Sequence, residues 1–204
     1  MCLYSKTLKN IAEVQIGCQF RKRLESTRDG TYQVIQIRDI RENHNICVKD
    51  LCKVTPDHSV KRYLVTKGDI LFLARGHRNF AVLIEDYLVN TIAASYFLIL
   101  RLKTKDILPA YLAWFINQSP AQEYLQRLAR RGSHIPIVPK SVFKNLKVDI
   151  PELDTQEKIV ELNRLFEKKS YLLKNLMEKY SLLISSVSLK AARRDLKKKK
   201  KNEC

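Results

Sequence analysis

Arginine-rich polar segments are the parts of this 204-residue sequence whose residue types and spacing could do chemistry. Arg75 and Arg78 stand in ARGHRN, and Arg130 and Arg131 stand in RLARRGSH. A planar guanidinium can form two hydrogen bonds with a guanine edge or a phosphate, whereas lysine offers a point charge. The asparagine, glutamine and serine residues among the arginines can read adenine or bridge through water. The pattern predicts a surface that reads duplex nucleic acid.

The predicted contacts lie in four polar segments between apolar runs. Aromatic residues fall on apolar positions rather than among the basic ones, which argues against single strands stacked on a sheet. For any one arginine, phosphate contact or ordinary hydration stays an alternative to base contact. The residues predicted to contact DNA are Arg21, Lys22, Arg23, Arg38, Arg75, His77, Arg78, Asn79, Arg130, Arg131, Ser133 and His134.

The net charge also favours a polyanionic partner. The chain has 38 Lys+Arg against 21 Asp+Glu, a net charge of +17. Residues 190–201 contain eight basic residues and one acid, so they hold +7 and the remainder holds +10. A polybasic end is often merely solvated, but a body that stays strongly basic without it favours nucleic acid. No apolar run reaches the roughly 20 residues of a membrane span.

Histidine and cysteine side chains could in principle hold a metal in the region of residues 44–58. His44, Cys47, Cys52 and His58 follow the spacing H-x2-C-x4-C-x5-H, which lacks the close pairs of a zinc knuckle. Loop histidines and small buried thiols explain these residues, so we predict no metal site. The five cysteines form no C-x-x-C pair and no apolar leader opens the sequence, which predicts a reducing, cytoplasmic setting.

Recognisable catalytic motifs are absent from the sequence. It has no G-x-G-x-x-G or G-x-x-x-x-G-K-[ST] loop, and no Asn/Asp-Pro-Pro-aromatic tetrapeptide of the kind that holds a flipped base. Scattered carboxylates such as Asp69, Glu85 and Asp86 leave a nuclease open, because metal sites of that kind have loose spacing. Each of them lies beside a predicted strand end or turn, where a solvated acid is ordinary. We therefore expect no catalysis by this chain.

Short β-like segments must position the predicted contacts. Alternation in YQVIQI puts Val34 on one face and Ile35 on the other, as in a half-buried strand. Lys67-Gly68-Asp69 predicts a tight turn with the glycine at positive φ. Strands are predicted at residues 32–37, 63–66, 69–74, 80–85, 95–102 and 146–150, and the block 63–102 is predicted to form an antiparallel sheet.

Two helices are predicted between the last of these strands. The first covers residues 108–117 with Pro109 at its opening position, and Trp114 is predicted to lie in or near the core. The second covers residues 119–131, with Ser119 as its cap, Pro120 in its first turn and Gly132 as its stop.

A third, much longer helix is predicted from residue 154 onward, where glycine and proline are absent and Thr155 can cap a first turn. A 3,4 spacing of apolar residues persists for more than four heptads, and a single helix cannot bury such a face on itself. We predict a helical pairing partner, and packing of the helix back on its own domain stays the alternative. The predicted seam consists of Ile159, Leu162, Phe166, Leu173, Leu176, Tyr180, Leu183 and Val187.

Together these features predict a mixed α/β (α+β) protein in three regions. Residues 1–151 form a globular recognition domain with a largely antiparallel twisted sheet. Residues 152–194 form a long coiled-coil helix for dimerisation or partner binding. Residues 195–204 form a basic, disordered tail.

Several sequence segments in this order carry a family resemblance. They are KGDILFLARG, FAVLIE and ILPAYLAWFINQSPAQEYLQ. The most specific stretch runs from Ile135 through Phe143, Leu146 and Ile150-Pro151 to Gln156, with Lys158 and Ile159 following. It is similar to the "I-P … F … L … I-P … L-x-x-Q-x-x-I" junction into the long helix of type I restriction-modification specificity (S) subunits. The chain resembles a target recognition domain and conserved helix of that family from residue 11 to about residue 194.

The resemblance implies a function and a set of partners. A full subunit of the family carries two recognition domains and two antiparallel helices, whereas this chain has one of each. It therefore resembles a half-length form that homodimerises on double-stranded DNA with two inverted half-sites. The family subunit is non-catalytic and directs a modification methyltransferase and a restriction/translocase subunit, to which S-adenosylmethionine, ATP and Mg2+ would belong. A stand-alone restriction nuclease of related architecture and a helix-mediated adaptor remain the alternatives.

Overall fold

The chain is described by a computed structural model over residues 4–20, 24–41, 46–129 and 135–202, with side chains up to residue 193. It divides into two compact units, Met1–Val160 and Glu161–Cys204. The division falls inside the long helix.

Nine strands and five α-helices are found in the described ranges. The strands are β1 Tyr4–Thr7, β2 Ala12–Ile16, β3 Tyr32–Ile35, β4 Cys52–Val54, β5 Ile70–Leu73, β6 Ala81–Leu83, β7 Thr91–Ala93, β8 Phe97–Leu102 and β9 Lys147–Ile150. The helices are α1 Leu8–Ile11, α2 Pro109–Ile116, α3 Ser119–Leu128, α4 Lys140–Lys144 and α5 Leu153–Asn202. Short 3-10 turns cover Ile37–Asp39 and Lys61–Tyr63.

The strands form three sheets. The four-stranded sheet has the order β2-β8-β5-β6 and is antiparallel throughout. Strand β1 pairs antiparallel with β9, which joins the beginning of the first unit to the segment before α5. In the three-stranded sheet, β3 pairs antiparallel with β4 and parallel with β7. The predicted mixed α/β class, with mainly antiparallel sheets and a long C-terminal helix, is confirmed.

The core is layered because the four-stranded and the three-stranded sheet are each covered on both faces. Leu98 and Leu100 of β8 pack toward the helices, where Phe72 stacks on Phe143 with ring centroids 4.2 Å apart. Phe97 of the same strand packs into a second cluster between the two larger sheets. Alternation along one strand thus supplies two cores.

Strand β3 corrects the prediction of a half-buried strand. Val34 and Ile35 do point to opposite faces, but both are fully buried. Val34 packs with Cys52 and Ile92 on the outer side, and Ile35 packs between the sheets. The alternation was read correctly. The covering layer on the second face comes from segments distant in sequence, and a local pattern does not reveal it.

The turn predicted at Lys67-Gly68-Asp69 is confirmed. Gly68 has φ +93°, in the region that favours glycine. Asp69 is buried, and its carboxylate accepts hydrogen bonds from the Thr66 N–H at 3.0 Å and from Arg101 Nε at 3.3 Å. These bonds close the turn into β5.

Residues 63–66 and 91–93 depart from the predicted antiparallel block. Residues 61–63 form a 3-10 turn, and Leu64 makes only a single bridge, to Ile92. Strand β7 leaves the block and runs parallel to β3 in the other sheet. Pairing over the block is therefore limited to β5, β6 and β8, because the chain crosses between sheets at β7.

Helix ends differ from the predicted caps by one or two residues. Pro109 opens α2 as predicted, and Trp114 is partly buried against the core. Helix α3 ends at Leu128 and has Gln118, not Ser119, at its N-cap; Gly132 lies outside the described residues. Helix α5 begins at Leu153, so Thr155 lies inside its first turn rather than capping it.

The first turn of α5 is anchored to the globular unit by one buried amide. Gln156 is fully buried, and its Oε1 accepts the Leu108 N–H at 2.9 Å. Its Nε2 donates to the carbonyls of Asp106 and Pro151, each at 2.8 Å. The helix then continues to Asn202, through residues predicted as a disordered tail, because no glycine or proline interrupts it and lysine is a good helix former.

Candidate nucleic-acid interface

A basic groove of about 470 Å³ opens beside the turn that follows β3. Its exposed basic side chains are Arg41, His77 and Arg78. Arg41 is more than 30 residues away in sequence from the other two, which are neighbours. The groove brings together His77, Arg78 and Asn79 of the predicted contacts. We call it the basic groove, and it is lined by Ile37, Ile40, Arg41, His77, Arg78, Asn79, Phe80, Asn117, Gln122 and Gln126.

One side of the basic groove is the 3-10 turn Ile37–Asp39. The buried carboxylate of Asp39 accepts the Gln36 N–H at 2.8 Å, and the Asp39 N–H donates to the Gln36 carbonyl at 3.1 Å. Burial raises the pKa of Asp39, and the Gln36 hydrogen bond and the nearby Arg38 charge oppose that rise. The reciprocal bonds fix the backbone that displays Ile37.

The other side is the segment between β5 and β6. Gly76 has φ +150°, which favours glycine, and its N–H donates to the Pro136 carbonyl at 3.1 Å. Asn79 donates through Nδ2 to the Leu73 carbonyl at 2.9 Å. Arg78 is therefore exposed on a backbone that is held at both ends.

Two predicted contacts lie outside the lining of the basic groove. The Arg75 guanidinium stacks over the Tyr96 ring, 5.9 Å from its centroid, and Arg75 bridges to Ile137. Arg38 Nε lies 3.9 Å from the Asp39 carboxylate, and its side chain is 64% exposed. Both remain accessible to DNA, and their contact with it stays a prediction.

Amide side chains of the α2–α3 region were missed by the sequence analysis. Asn117 Oδ1 accepts the Ala81 N–H at 2.7 Å, and Asn117 Nδ2 donates to the Ala81 carbonyl at 2.9 Å. Gln122 Nε2 donates to the Ile116 carbonyl at 2.7 Å. Gln126 is exposed on α3. The 3,4 spacing that puts Gln122 and Gln126 on one helical face was a usable signal, because glutamine on an exposed face can read adenine.

The thiol of Cys47 lies beside an arginine of the basic groove. Arg41 donates a hydrogen bond to Cys47 Sγ at 3.4 Å, and the Cys47 N–H donates to the Asp39 carbonyl at 2.8 Å. The Arg41 hydrogen bond lowers the pKa of Cys47, helped by the backbone of Lys49. In contrast, burial raises the pKa of Cys18.

Seven predicted DNA contacts lie outside the described residues. In sequence they come before β3 and after α3, and their role stays a prediction. They are Arg21, Lys22, Arg23, Arg130, Arg131, Ser133 and His134.

Cys52 and His58, two of the residues weighed as metal ligands, have other neighbours. Cys52 is buried in the core, and His58 Nδ1 lies 2.7 Å from Asp57 and its Nε2 3.9 Å from Cys18 Sγ. His44 lies outside the described residues. Over the described ranges, no group of three or more histidine, cysteine, aspartate or glutamate residues could hold a metal ion.

Of the three carboxylates considered for a nuclease, that of Asp69 has structural partners. Asp69 is bound to Thr66 and Arg101 in the turn before β5. Glu85 and Asp86 line a second cavity, of about 260 Å³, which Arg41 also lines.

The predicted seam of α5 is mostly exposed. Ile159, in the globular unit, is partly buried against the first core cluster. The other seven seam residues lie in the second unit and are between 49% exposed, for Leu176, and 70% exposed, for Leu162. Among the described helices, none has the length and hydropathy of a membrane span.

The fold is a mixed α/β globular unit with a basic groove, and a long helix follows it in sequence. Residues 4–179 match the family model described as "Type I restriction modification DNA specificity domain". The chain belongs to this family, so the resemblance found in the sequence is confirmed. No curated protein matches the chain.

Solved structures share the fold at low sequence identity. The S subunit of a type I restriction-modification system from M. genitalium aligns with TM-score 0.58 and 16% identity, over 87% of this chain and 42% of its own. The HsdS subunit from Thermoanaerobacter tengcongensis aligns with TM-score 0.63 and 17% identity, over 85% of this chain and 44% of its own. A third structure, described as "Structural basis underlying complex assembly and conformational transition of the type I R-M system", aligns with TM-score 0.60 and 12% identity, over 84% of this chain and 40% of its own. The chain thus spans about two-fifths of the length of these proteins.

Proposed function

We propose that this chain reads double-stranded DNA as the specificity subunit of a type I restriction-modification system and does so as a homodimer. The observation that carries the proposal is the combination, within one member of this family, of a basic groove and a long helix whose apolar stripe is exposed. One recognition domain reads one half-site, and two copies read two.

Electrostatics support duplex DNA as the ligand. Arg41, His77 and Arg78 line the groove together, and none of its ten lining residues is a carboxylate. Basic residues contact phosphates in any sequence, and base specificity needs the neutral polar groups that accompany them. Gln126 and Asn79 provide such groups beside Arg78.

The second unit supports self-association. Leu173 and Leu176 are half exposed, and burying an exposed leucine completely is worth about 1.5–3 kcal/mol. Seven such residues at heptad spacing make pairing with a second copy favourable. A two-fold dimer reads inverted half-sites, and the heptad run over residues 159–190 is about 45 Å long at 1.5 Å per residue. We therefore expect unread base pairs between the half-sites.

In this proposal the chain itself carries no chemistry. Methylation and restriction belong to a modification methyltransferase subunit and a restriction/translocase subunit, which also bind S-adenosylmethionine, ATP and Mg2+. The site of action is the cytoplasm, where the DNA target is. The non-catalytic role is supported by the family's DNA-specificity role and by the hydrogen bonds that Asp69 makes to Thr66 and Arg101.

Selection from random duplexes tests this function. The full chain is incubated with a random DNA library, and bound duplexes are sequenced. We expect an enriched site with two inverted halves. The logarithm of the binding constant should fall steeply and linearly with the logarithm of the salt concentration. Equal binding to all sequences would contradict the reading function, and cleavage in Mg2+ without a partner would favour the nuclease.

A further inference from the structure

We propose that the basic groove reads the 5-methyl group of a thymine and that Ile37 is the residue that reads it. This inference rests on the proposed DNA-reading function and deepens it, because it names a base and an atom. It begins from apolar side chains that lie among arginines.

Ile37 is unusual in its surroundings rather than in its exposure alone. It is 40% exposed, whereas Ile40 and Phe80 in the same groove are half-buried and pack against the second core cluster. Ile37 belongs to none of the core clusters of the described residues. A single exposed isoleucine is ordinary, but this one continues an apolar surface that is flanked by Arg41 and Arg78.

Charge restricts what can cover that surface. The exposed cations in the lining favour a polyanion, and duplex DNA presents few apolar groups to a protein. In the major groove, the apolar group of an unmodified base pair is the thymine 5-methyl, which adenine, guanine and cytosine lack. Apolar contact inside a cationic lining therefore selects thymine.

The backbone under Ile37 is suited to such a reader. The hydrogen bonds between Gln36 and Asp39 fix the turn, and the Ile40 N–H donates to the Ile37 carbonyl at 3.2 Å. A β-branched side chain is also stiff at χ1. Little conformational entropy is lost when Ile37 meets a methyl group, so its contact contributes to discrimination.

Insertion between base pairs is the other way in which isoleucine contacts DNA. A wedge must project beyond its neighbours to unstack a base step. Ile37 instead lies in the lining of a groove with the longer side chains of Arg41, Arg78 and Gln126. The geometry points to contact with a methyl group at a base edge.

Deoxyuridine substitution tests the proposal directly, since it removes the methyl group and keeps every hydrogen bond of the pair. In the site selected by the full chain, each thymine is replaced in turn by deoxyuridine. At one thymine per half-site we expect wild-type binding to weaken about fourfold, the value of one buried methyl group. Ile37→Ala should bind the thymine and deoxyuridine duplexes equally.

The matched control is Ile16→Ala, which truncates a 48%-exposed isoleucine of β2 outside the groove lining. It should keep the fourfold discrimination. Circular dichroism melting checks that each variant folds, and Ile37→Val, which removes less, should give a smaller loss of discrimination than Ile37→Ala.

The outcomes separate this inference from the function beneath it. If selection enriches no site, the proposed function fails. If a site is enriched but no thymine responds to deoxyuridine, or Ile37→Ala retains the response, methyl reading by Ile37 is overturned and the function stands. Increased 2-aminopurine fluorescence beside the responding step would indicate a wedge and would also overturn it.

Discussion

Arg41 has two roles that a sequence does not distinguish. Its side chain lines the basic groove, and one of its guanidinium nitrogens donates to Cys47 Sγ at 3.4 Å. Because a guanidinium beside sulfur favours the thiolate, the pKa of Cys47 falls, and burial moves the pKa of Cys18 in the opposite direction. The chemistry of Cys47 therefore reports on the position of Arg41.

Alkylation rates should follow these pKa directions. We expect iodoacetamide to modify Cys47 faster than Cys18 near neutral pH, because more of Cys47 is thiolate and Cys18 is buried. Arg41→Ala removes the main cause of the lowered pKa of Cys47, so its alkylation profile should shift to higher pH. Peptide mass spectrometry over about pH 6–9 measures both cysteines in one sample.

Arg38→Ala is the matched control, since Arg38 lies against Asp39 and makes no described bond to Cys47. It should leave the alkylation profile of Cys47 unchanged. An identical profile in wild type and Arg41→Ala would contradict the assignment of Arg41 as the activating group.

Part of the basic groove was accessible to sequence reasoning. His77, Arg78 and Asn79 are consecutive in a polar segment, so their proximity follows from the chain itself. Their meeting with Arg41 and Gln126 depends on how β3, β5 and α3 are arranged, and no local pattern encodes that. Ile37 was predicted as the last residue of a strand, but β3 ends at Ile35 because the Gln36–Asp39 hydrogen bonds form a turn there.

Secondary structure was predictable where a residue type acts locally. Gly68 supplies the positive φ of its turn, and Pro109 opens α2, so both features followed from chemistry at one position. Strands β1, β2, β4 and β7 are three to five residues long, and their pairing partners are distant in sequence. Tertiary pairing decides such segments, which explains why they were missed.

Gln156 shows how one buried residue ties a helix to a domain. Its amide serves one N–H and two carbonyls at the start of α5. Gln156→Leu keeps a similar size and leaves the Leu108 N–H without its partner, and a buried unsatisfied group costs about 1–3 kcal/mol. We expect the free energy of unfolding to fall by about 2 kcal/mol or more.

Urea denaturation measures this loss as a lower midpoint at unchanged slope. Gln126→Leu is the matched control, because Gln126 is an exposed glutamine on α3. It should change stability by no more than about 0.5 kcal/mol. If Gln156→Leu matches the wild type in stability, the three hydrogen bonds do not anchor the helix.

The basic groove and the apolar stripe of α5 lie in different units of the molecule. The globular unit holds the basic groove, and the helical unit holds the exposed stripe, so the proposed DNA binding and the proposed pairing with a second copy would use separate surfaces. An apolar stripe with seven half-exposed large side chains exceeds what monomeric proteins usually leave in water. Mutations in the helical unit should therefore leave the half-site contacts of the basic groove intact.

Leu173→Lys combined with Leu176→Lys tests that separation. Charges in the seam should give a monomer of 23.8 kDa by light scattering, where the wild type gives twice that mass. Leu182→Lys combined with Leu189→Lys is the control, because these leucines are at least as exposed, at 71% and 57%, but lie on the opposite face of α5; this variant should stay dimeric.

The monomer should still read DNA, because its basic groove is untouched. Joining two half-site contacts in one particle raises affinity by about 10²–10⁴-fold, so the seam variant should bind the full site that much more weakly. Its selected sequences should keep one half-site and lose the fixed spacing to the second. A seam variant that remains dimeric would place self-association outside α5. A monomer that still requires the fixed spacing between half-sites would show that dimerisation does not set that spacing.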